Sequence, residues 1–451
     1  MKKIIFKTII LCCIYNVDAQ QIDLSLKQCR DMAVQNSEAM KIARCQNEQT
    51  KIEKQLATTA ALPKFSGSAT YAYIYGNMEI GLPEMDMKLP MEGMGMEIDM
   101  GGMIPQRVDM KLNTNIYMFG VNVQQPIFAG GKIITGNKMA KKGMEITEEN
   151  IHLTRMNVIA EAEKAYWNYF LVKDKIKLLK QYEQLLDTLY QSISNMIAVQ
   201  MLPESELLKI SSRKSNIQYQ TQKAANGMEL VRMQLCRIIG VELNTQITLT
   251  DSLSENEYNT TITHNSDVAT RPEYRILQKQ VELKTLNIQN VRGDYLPTLG
   301  VMAGYNYMGK MSMGDISIRM KEPMPLVMVS LSIPIFHFGE GAKKIKSAKI
   351  ARDIQQQELN KNSKLLSIEI QYAKRNLEDA FLLIGTAETA LKQAEANLKR
   401  SQDNYETGMG TLLDVLDAQT QWQEAHSNAI EARVEYKLKE IDYLKAIGNN
   451  D

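Results

Sequence analysis

The sequence predicts an α+β membrane protein built as two tandem structural repeats, in which short β-strands form part of a barrel and long helices continue from it. Three observations predict this. The first is an internal echo. Pro126 and Pro334 are 208 residues apart, and so are Phe128 and Phe336, Gly131 and Gly339, Glu161 and Glu369, Ala165 and Ala373, and Glu206 and Asp414. One offset that holds from strand through helix to turn marks a repeat. The second is four segments with period-two alternation, each about ten residues long, the length that crosses a bilayer when tilted. The third is a helical run, Gly339 to Tyr405, of 67 residues, or about 100 Å of helix. Leu377, Ile384, Leu391, Leu398 and Tyr405 recur in it every seven residues, with Ala380, Ala387, Ala394 and Ser401 three behind the first four. A seam of one large and one small position allows close antiparallel packing.

Residues 1–19 read as a signal peptide, with Lys2 and Lys3 before an apolar stretch from Ile4 to Ile14 and Val17-Asp18-Ala19 before a cut at Gln20. A lipoprotein site at Cys12 or Cys13 is the weaker reading, because Ile10 and Leu11 are not the small residues it needs. Cys29, Cys45 and Cys236 remain after cleavage, an odd number at wide spacings that makes neither a disulfide framework nor a zinc site. No other run of 18 apolar residues exists, so a membrane crossing falls to β-strands. A net charge of +1 implies no general pull toward nucleic acid.

The first repeat spans 20–240. Ile22 to Leu62 reads as helix, with a break near Asn36-Ser37, and Pro63 ends it. A β-hairpin over 65–125 follows. Tyr71, Tyr73 and Tyr75 alternate along its first strand (Phe65 to Tyr75), and Tyr117, Phe119, Val121 and Val123 along its second (Leu112 to Gln125). A Gly-, Pro- and Met-rich loop from Gly76 to about Met110 joins them. Helices are expected from about Lys132 to Val199 and on to Ile239. Residues 241–270 are polar and irregular, with one strand candidate, Gln246 to Leu249. The second repeat, 271–447, has a helix to Tyr295, a hairpin over 299–335 carrying Tyr305 and Tyr307, and a long helix pair; 448–451 is a tail. Pro63 and Pro297 differ by 234, so the extra residues of the first repeat fall inside its hairpin loop.

The chemistry concentrates in the turns between the long helices. In Asn404 to Gln419, Gly408 and Gly410 stop one helix and Thr411 can cap the next, with Asp414 at a capping-box spacing. Asp414 and Asp417 then share a helical face. Asn195 to Lys209 has the same layout 208 residues earlier. Four strands cannot close a barrel, which needs at least about eight; three chains would supply twelve.

The tandem plan, the prolines at helix–strand junctions and the stretch Tyr405-x-x-Gly408 followed by Asp414-Val415-Leu416-Asp417-Ala418-Gln419 resemble the TolC-type outer-membrane efflux proteins over essentially the whole mature chain. The resemblance implies a homotrimer with a twelve-stranded β-barrel in outer-membrane lipid and a long α-helical coiled-coil tunnel in the periplasm, belted by 241–270. It implies a passive exit duct, without cofactor, recruited by a periplasmic adaptor and an inner-membrane pump of the RND or ABC type. By the same likeness, Asp414 and Asp417 form a carboxylate ring at the entrance, whose mutual repulsion and desolvation should raise some pKa values. Tyr405 and Glu206 are the gate contacts. Met201, Leu202, Ser205, Gly408, Gly410, Thr411 and Leu412 are adaptor-docking tips. Tyr71, Tyr73, Tyr75, Tyr305 and Tyr307 are an aromatic girdle at the headgroups. The family's best-known member has an arginine where this chain has Gly410, so a looser gate is expected, or one held by Tyr405 and Glu206 alone.

Blander readings stand beside these. The two aspartates also suit a solvated first turn, where acids favour the helix dipole. Met85, Met87, Met91, Met94, Met96 and Met100 offer thioethers for Cu(I) or Ag(I), or merely line a flexible outer loop. His152, His264, His337 and His426 are scattered, and no HExxH, dinucleotide fingerprint or phosphate loop occurs, so an enzyme is not expected. The competing function is a non-porous periplasmic coiled-coil scaffold, which has no use for four bilayer-length amphipathic strands.

Overall fold

The computed structural model describes residues 21–81, 88–90, 97–99, 107–251, 267–309, 311–313, 316–318 and 322–449. The expected signal peptide, residues 252–266 and the six methionines named above lie outside them. In chain order the elements are β1 (Gln21–Leu24), α1 (Leu26–Asn36), α2 (Glu38–Thr59), β2 (Lys64–Gly81), β3 (Lys88–Pro90), β4 (Glu97–Asp99), β5 (Arg107–Ala129), α3 (Lys132–Ala198), α4 (Glu204–Ile239), β6 (Gln246–Leu249), α5 (Pro272–Gly293), β7 (Thr298–Met308), β8 (Met311–Met313), β9 (Ile316–Ile318), β10 (Met324–Ser332), α6 (Glu340–Glu406) and α7 (Leu412–Ala446). They gather into two compact units, and these are not the two repeats. One unit holds residues up to 51, 142–282 and 353–451, the other 52–141 and 283–352. Each repeat contributes to both.

The first unit is helical and packs around three apolar clusters. The large-and-small seam expected on α6 buries Leu377, Ala380, Ile384, Ala387 and Leu398. The first four pack with Ala429, Ala432 and Tyr436 of α7, the small side chains letting the backbones approach. A second cluster joins α1, α3, α4 and the two-stranded parallel pair β1–β6 through Cys29, Tyr166, Trp167, Leu235 and Ile247. β1 is absent from the sequence reading, which ran helix through Ile22. The strand forms because Gln21 to Leu24 has Gln246 to Leu249 to pair with, a partner too distant in sequence to leave a local signal. Asp251 then fixes the β1–α1 corner, accepting from the Leu26 amide at 2.7 Å and the Tyr166 hydroxyl at 3.0 Å. Cys29, Cys45 and Cys236 are free thiols, and burial pushes the Cys29 thiol up to about 12, where it is inert as a nucleophile.

The second unit carries one antiparallel sheet in the order β10-β7-β5-β2. The four expected strands are all present, but their bounds shift. β2 and β5 stay paired out to Gly81 and Arg107, so both ends of the segment read as a loop are strand. Strand β5 also runs past Pro126, across a bulge between Pro126 and Phe128, to Ala129. A bulge is where a proline can sit in a sheet, since its missing N–H leaves the ladder there anyway. Strand β10 stops earlier than expected, at Ser332 instead of Ile335.

Candidate functional site

The two helix-to-helix turns close with the same backbone bonds. After α6, the Met409 amide donates to the Asn404 carbonyl at 2.8 Å and the Gly408 amide to Tyr405 at 3.1 Å. This is a Schellman cap, which uses carbonyls that the helix leaves unpaired. After α3, Met201 donates to Met196 at 2.9 Å and Gln200 to Ile197 at 2.9 Å. The 208-residue echo therefore holds bond by bond. The left-handed position is Gly408, with φ +76, in one turn and Gln200, with φ +61, in the other. A Cβ on Gly408 would meet nothing within 4 Å, so its cost there is purely conformational. Gly408→Ala is expected to lower stability by about 1 kcal/mol, and Gln200→Gly to raise it by up to about 1 kcal/mol. Thermal melts of both variants, read by circular dichroism, check this; equal signs would refute it. Gly410 has a different constraint, because a Cβ there would lie 3.2 Å from Asn404 Cβ and 3.3 Å from the Tyr405 amide. Any larger residue, arginine included, needs its neighbours at Asn404 and Tyr405 to give by a few tenths of an ångström.

The helices that follow begin differently. Thr411 and Asp414 form the expected capping box: the Asp414 amide donates to Thr411 Oγ1 at 3.2 Å, and Asp414 Oδ2 accepts from the Thr411 amide at 2.9 Å. Asp414 Oδ2 also accepts from the Thr411 hydroxyl at 2.7 Å. These bonds hold the Asp414 carboxyl below its ordinary value, opposite to the rise expected for a ring of acids. The rise depends on several copies meeting, whereas the depression arises within one. In the earlier turn the cap position is Pro203, which has no amide proton and no side-chain oxygen to offer. Glu206, the repeat partner of Asp414, cannot build a box there and accepts from Lys209 Nζ at 2.9 Å.

Beneath both turns lies an apolar cluster. Leu186, Ile193, Ile210, Leu412 and Leu416 are buried in it, with Leu202 and Tyr405 packed at its margin. Leu412, expected as docking surface, therefore holds the tip together from inside. Met201, Ser205, Gly408 and Thr411 are exposed, while Leu202 and Gly410 are half-buried. Partial burial and the charge of the Glu206 carboxylate raise the Tyr405 phenol; these are the two residues expected as gate contacts. No hydrogen bond joins them among the described residues. Asp414 and Asp417 face solvent together, between the buried Val415, Leu416, Ala418 and Gln419. Sequence reading missed the partner of one of them: Arg213 of α4 reaches Asp417 of α7 at 3.8 Å. The two residues are 204 apart, too far for any helical spacing to signal. An arginine does serve this turn, supplied by the neighbouring helix instead of position 410.

The sheet has two unlike faces. Register places Phe65, Ala69, Tyr71, Tyr73 and Tyr75 of β2 on one side, with Tyr117, Phe119, Val121 and Val123 of β5. Val301, Ala303, Tyr305 and Tyr307 of β7, and Val327, Val329 and Leu331 of β10, complete that side. It is mainly apolar, with Asn115 and Gln125 of β5 among its polar members. The other side is mixed: it carries Ser66, Ser68, Thr70, Asn122, Gln124, Asn306, Ser330 and Ser332, together with Ile74, Ile116, Met118, Met302, Leu326 and Met328. Such alternation suits a wall with lipid on one face and water on the other. Tyr71 stacks on Tyr117 at 5.2 Å and Phe119 on Tyr307 at 4.8 Å. The aromatic row thus crosses three strands and includes Tyr117 and Phe119, which the girdle reading had left out.

The model of the outer membrane efflux protein family matches residues 268–449. The outer membrane protein TolC of Vibrio cholerae serotype O1 is 19% identical over 91% of this chain and 91% of its own length. The alkaline protease secretion protein AprF of Pseudomonas aeruginosa is 19% identical over 71% of this chain and 67% of its own. Among solved structures, the channel protein CusC is similar with a TM-score of 0.76 at 13% identity, over 95% of this chain and 93% of that one. Family match over 268–449, near full-length likeness to TolC, the repeated helix–hairpin–helix plan and the two-faced sheet converge: the chain is similar to the TolC-type outer-membrane efflux proteins, outer-membrane channels that extend into the periplasm and serve efflux or secretion.

Proposed function

We propose that three copies of this chain close their sheets into one twelve-stranded barrel, and that the two helix turns form the periplasmic entrance of the duct. The observation that carries this is the four-stranded sheet, aromatic and aliphatic on one face and studded with Ser, Thr, Asn and Gln on the other, with both outer strands unpaired among the described residues. An open edge of that length exposes a row of amide and carbonyl groups that hydrocarbon cannot satisfy, so closure by further copies is the way to place the sheet in a membrane. The exposed Met201, Ser205, Gly408 and Thr411 form the surface that a periplasmic adaptor grips, and an inner-membrane pump supplies the energy. Asp414 and Asp417 ring the entrance, favouring cations at its mouth, while Tyr405 and Glu206 pack the turns together. The described parts of the segment expected as a belt, 241–251 and 267–270, flank the helical part in sequence. The tyrosines of the sheet sit at lipid headgroups.

The test is reconstitution. Purified protein should run as a heat-resistant trimer and give discrete, cation-selective conductance steps in a planar bilayer. A trimer that folds into the outer membrane yet passes no current would refute the duct and leave the scaffold reading.

A further inference from the structure

Lys173, Lys177 and Lys180 follow one another along α3 at spacings of four and three. Those spacings put all three on one helical face, over about 10 Å of rise. Like charges so placed repel, a cost that opposing carboxylates normally offset. Other lysines of the same helix have such partners: Lys164 pairs with Asp442 and Lys175 with Glu431, both of α7. Among the described residues no carboxylate forms an ion pair with Lys173, Lys177 or Lys180.

The three lysines line a cavity of about 910 Å³ between α3, α4 and α7, which the end of β6 also lines. The lining is ordered along α3. Phe170 comes first, with Met228 of α4 and Leu249 of β6, and all three belong to the apolar cluster around Tyr166 and Trp167. Lys177 and Lys180 lie about two to three turns farther on, beside Gln181 and Gln184. One end is thus apolar, and the other is cationic and rich in hydrogen-bonding groups.

Four cations and two carboxylates share this lining. Arg433 is answered from outside it, by Glu388 at 3.1 Å. Asp251 is engaged at the β1–α1 corner by the Leu26 amide and the Tyr166 hydroxyl. Asp174 stands between Lys173 and Lys177 in sequence and pairs with neither; burial raises its carboxyl, against the pull of Lys177, Lys173 and His426. The lysines therefore keep an excess of positive charge, and a cleft with low-dielectric walls concentrates its field.

We propose that this cavity binds an anionic amphiphile, a phosphate monoester with an apolar chain or ring, its head on Lys173, Lys177 and Lys180 and its body against Phe170, Met228 and Leu249. The size fits, since pockets for drug-sized ligands measure about 300–1,000 Å³ and combine apolar walls with a few convergent polar groups. The charge fits as well. Neighbouring lysines of the stripe are about 6 Å apart or less along the helix, so a head with several acceptor oxygens meets two or three flexible ammonium groups at once. A merely solvated lysine face needs neither a concave wall nor an apolar end. The site lies apart from the helix turns and from the sheet, and it is independent of how copies assemble.

Hexyl phosphate is a soluble probe for it, titrated calorimetrically into the full-length protein in neutral detergent, with inorganic phosphate and hexylammonium as comparisons. Hexyl phosphate should bind saturably and at least tenfold more tightly than inorganic phosphate, because its chain buries methylenes that phosphate lacks. Its affinity should fall as salt rises, and hexylammonium should not bind. K177Q/K180Q should weaken hexyl phosphate at least tenfold, whereas K138Q/K141Q, on the same helix but outside the cavity, should leave it unchanged. All four lysines are exposed, and without ligand K177Q/K180Q should melt no lower than the wild type, since it removes a like-charge pair. A lower melting temperature would show these lysines serving the fold and overturn the proposal. Equal binding of hexyl phosphate and inorganic phosphate overturns the amphiphile. Unchanged binding in K177Q/K180Q overturns the location, and no saturable binding of hexyl phosphate into the millimolar range overturns the site. Conductance enters none of these readouts, so the duct stands or falls separately.

Discussion

Arg271→Ala is expected to cost the helical unit about 3 kcal/mol, the lower end of what removing one partner of a buried charge cluster typically costs. Arg271 is 1% exposed, at the entry to α5. Its guanidinium reaches Glu273 and Glu369 at 2.8 Å each, so one side chain ties the start of α5 to the middle of α6. Alanine would leave a cavity where the stem packed and two carboxylates near each other without their cation. Glu369 is half-exposed and can recover water, which keeps the cost from reaching the upper end of the range. Arg271→Lys should recover only part of the loss, since an ammonium cannot present the planar fork that holds two carboxylates at once. Denaturant unfolding followed by tryptophan fluorescence measures both. A loss under about 1 kcal/mol for the alanine variant would show that the pair carries no net stability, as is usual for exposed pairs.

The fold was legible in the sequence where the signal was periodic or repeated. The heptad on α6 and the 208-residue echo needed only one chain and one rule, and they placed the helix seams and both turns. The strand bounds were less legible. Gly76 to Gly81 contains Asn, Met and Glu without clean alternation, and it is strand because Arg107 to Leu112 pairs with it, a fact of tertiary structure. Pro126 lies just past the expected strand end at Gln125, and a bulge lets the strand continue through it. At the turns, Thr411 and Asp414 announced their capping box through spacing alone. Arg213 gave no such notice, since it meets Asp417 only when α4 packs beside α7. The resemblance puts Leu412 on the docking surface, but the apolar cluster beneath the turns takes its side chain instead. Local rules thus located the site, and side-chain roles within it depended on contacts between helices.

That division bears on how the proposed entrance would select ions. If Asp414 and Asp417 contributed equally, removing either would reduce cation selectivity alike. They are not alike in the structure. Asp417 has Arg213 at 3.8 Å, so its charge is largely offset as seen from a few ångströms away. Asp414 has only hydroxyl and amide donors on it, which keep it ionised without cancelling its charge. Asp414→Asn is therefore expected to cut the cation-to-anion permeability ratio of the reconstituted duct roughly tenfold at low salt, with the effect shrinking as the Debye length falls. Asp417→Asn should cut it much less, because Arg213 then stands unopposed but one acid per chain remains. Arg213→Gln should move it the other way, unmasking Asp417 and raising cation selectivity. It should also raise open probability, because the bond from α4 to α7 is lost; stability should barely change, as expected for a solvent-exposed pair. Bi-ionic reversal potentials of the three variants in a planar bilayer give the ordering directly. Equal effects of Asp414→Asn and Asp417→Asn would refute the unequal ring, and no change in either would remove these acids from the conduction path.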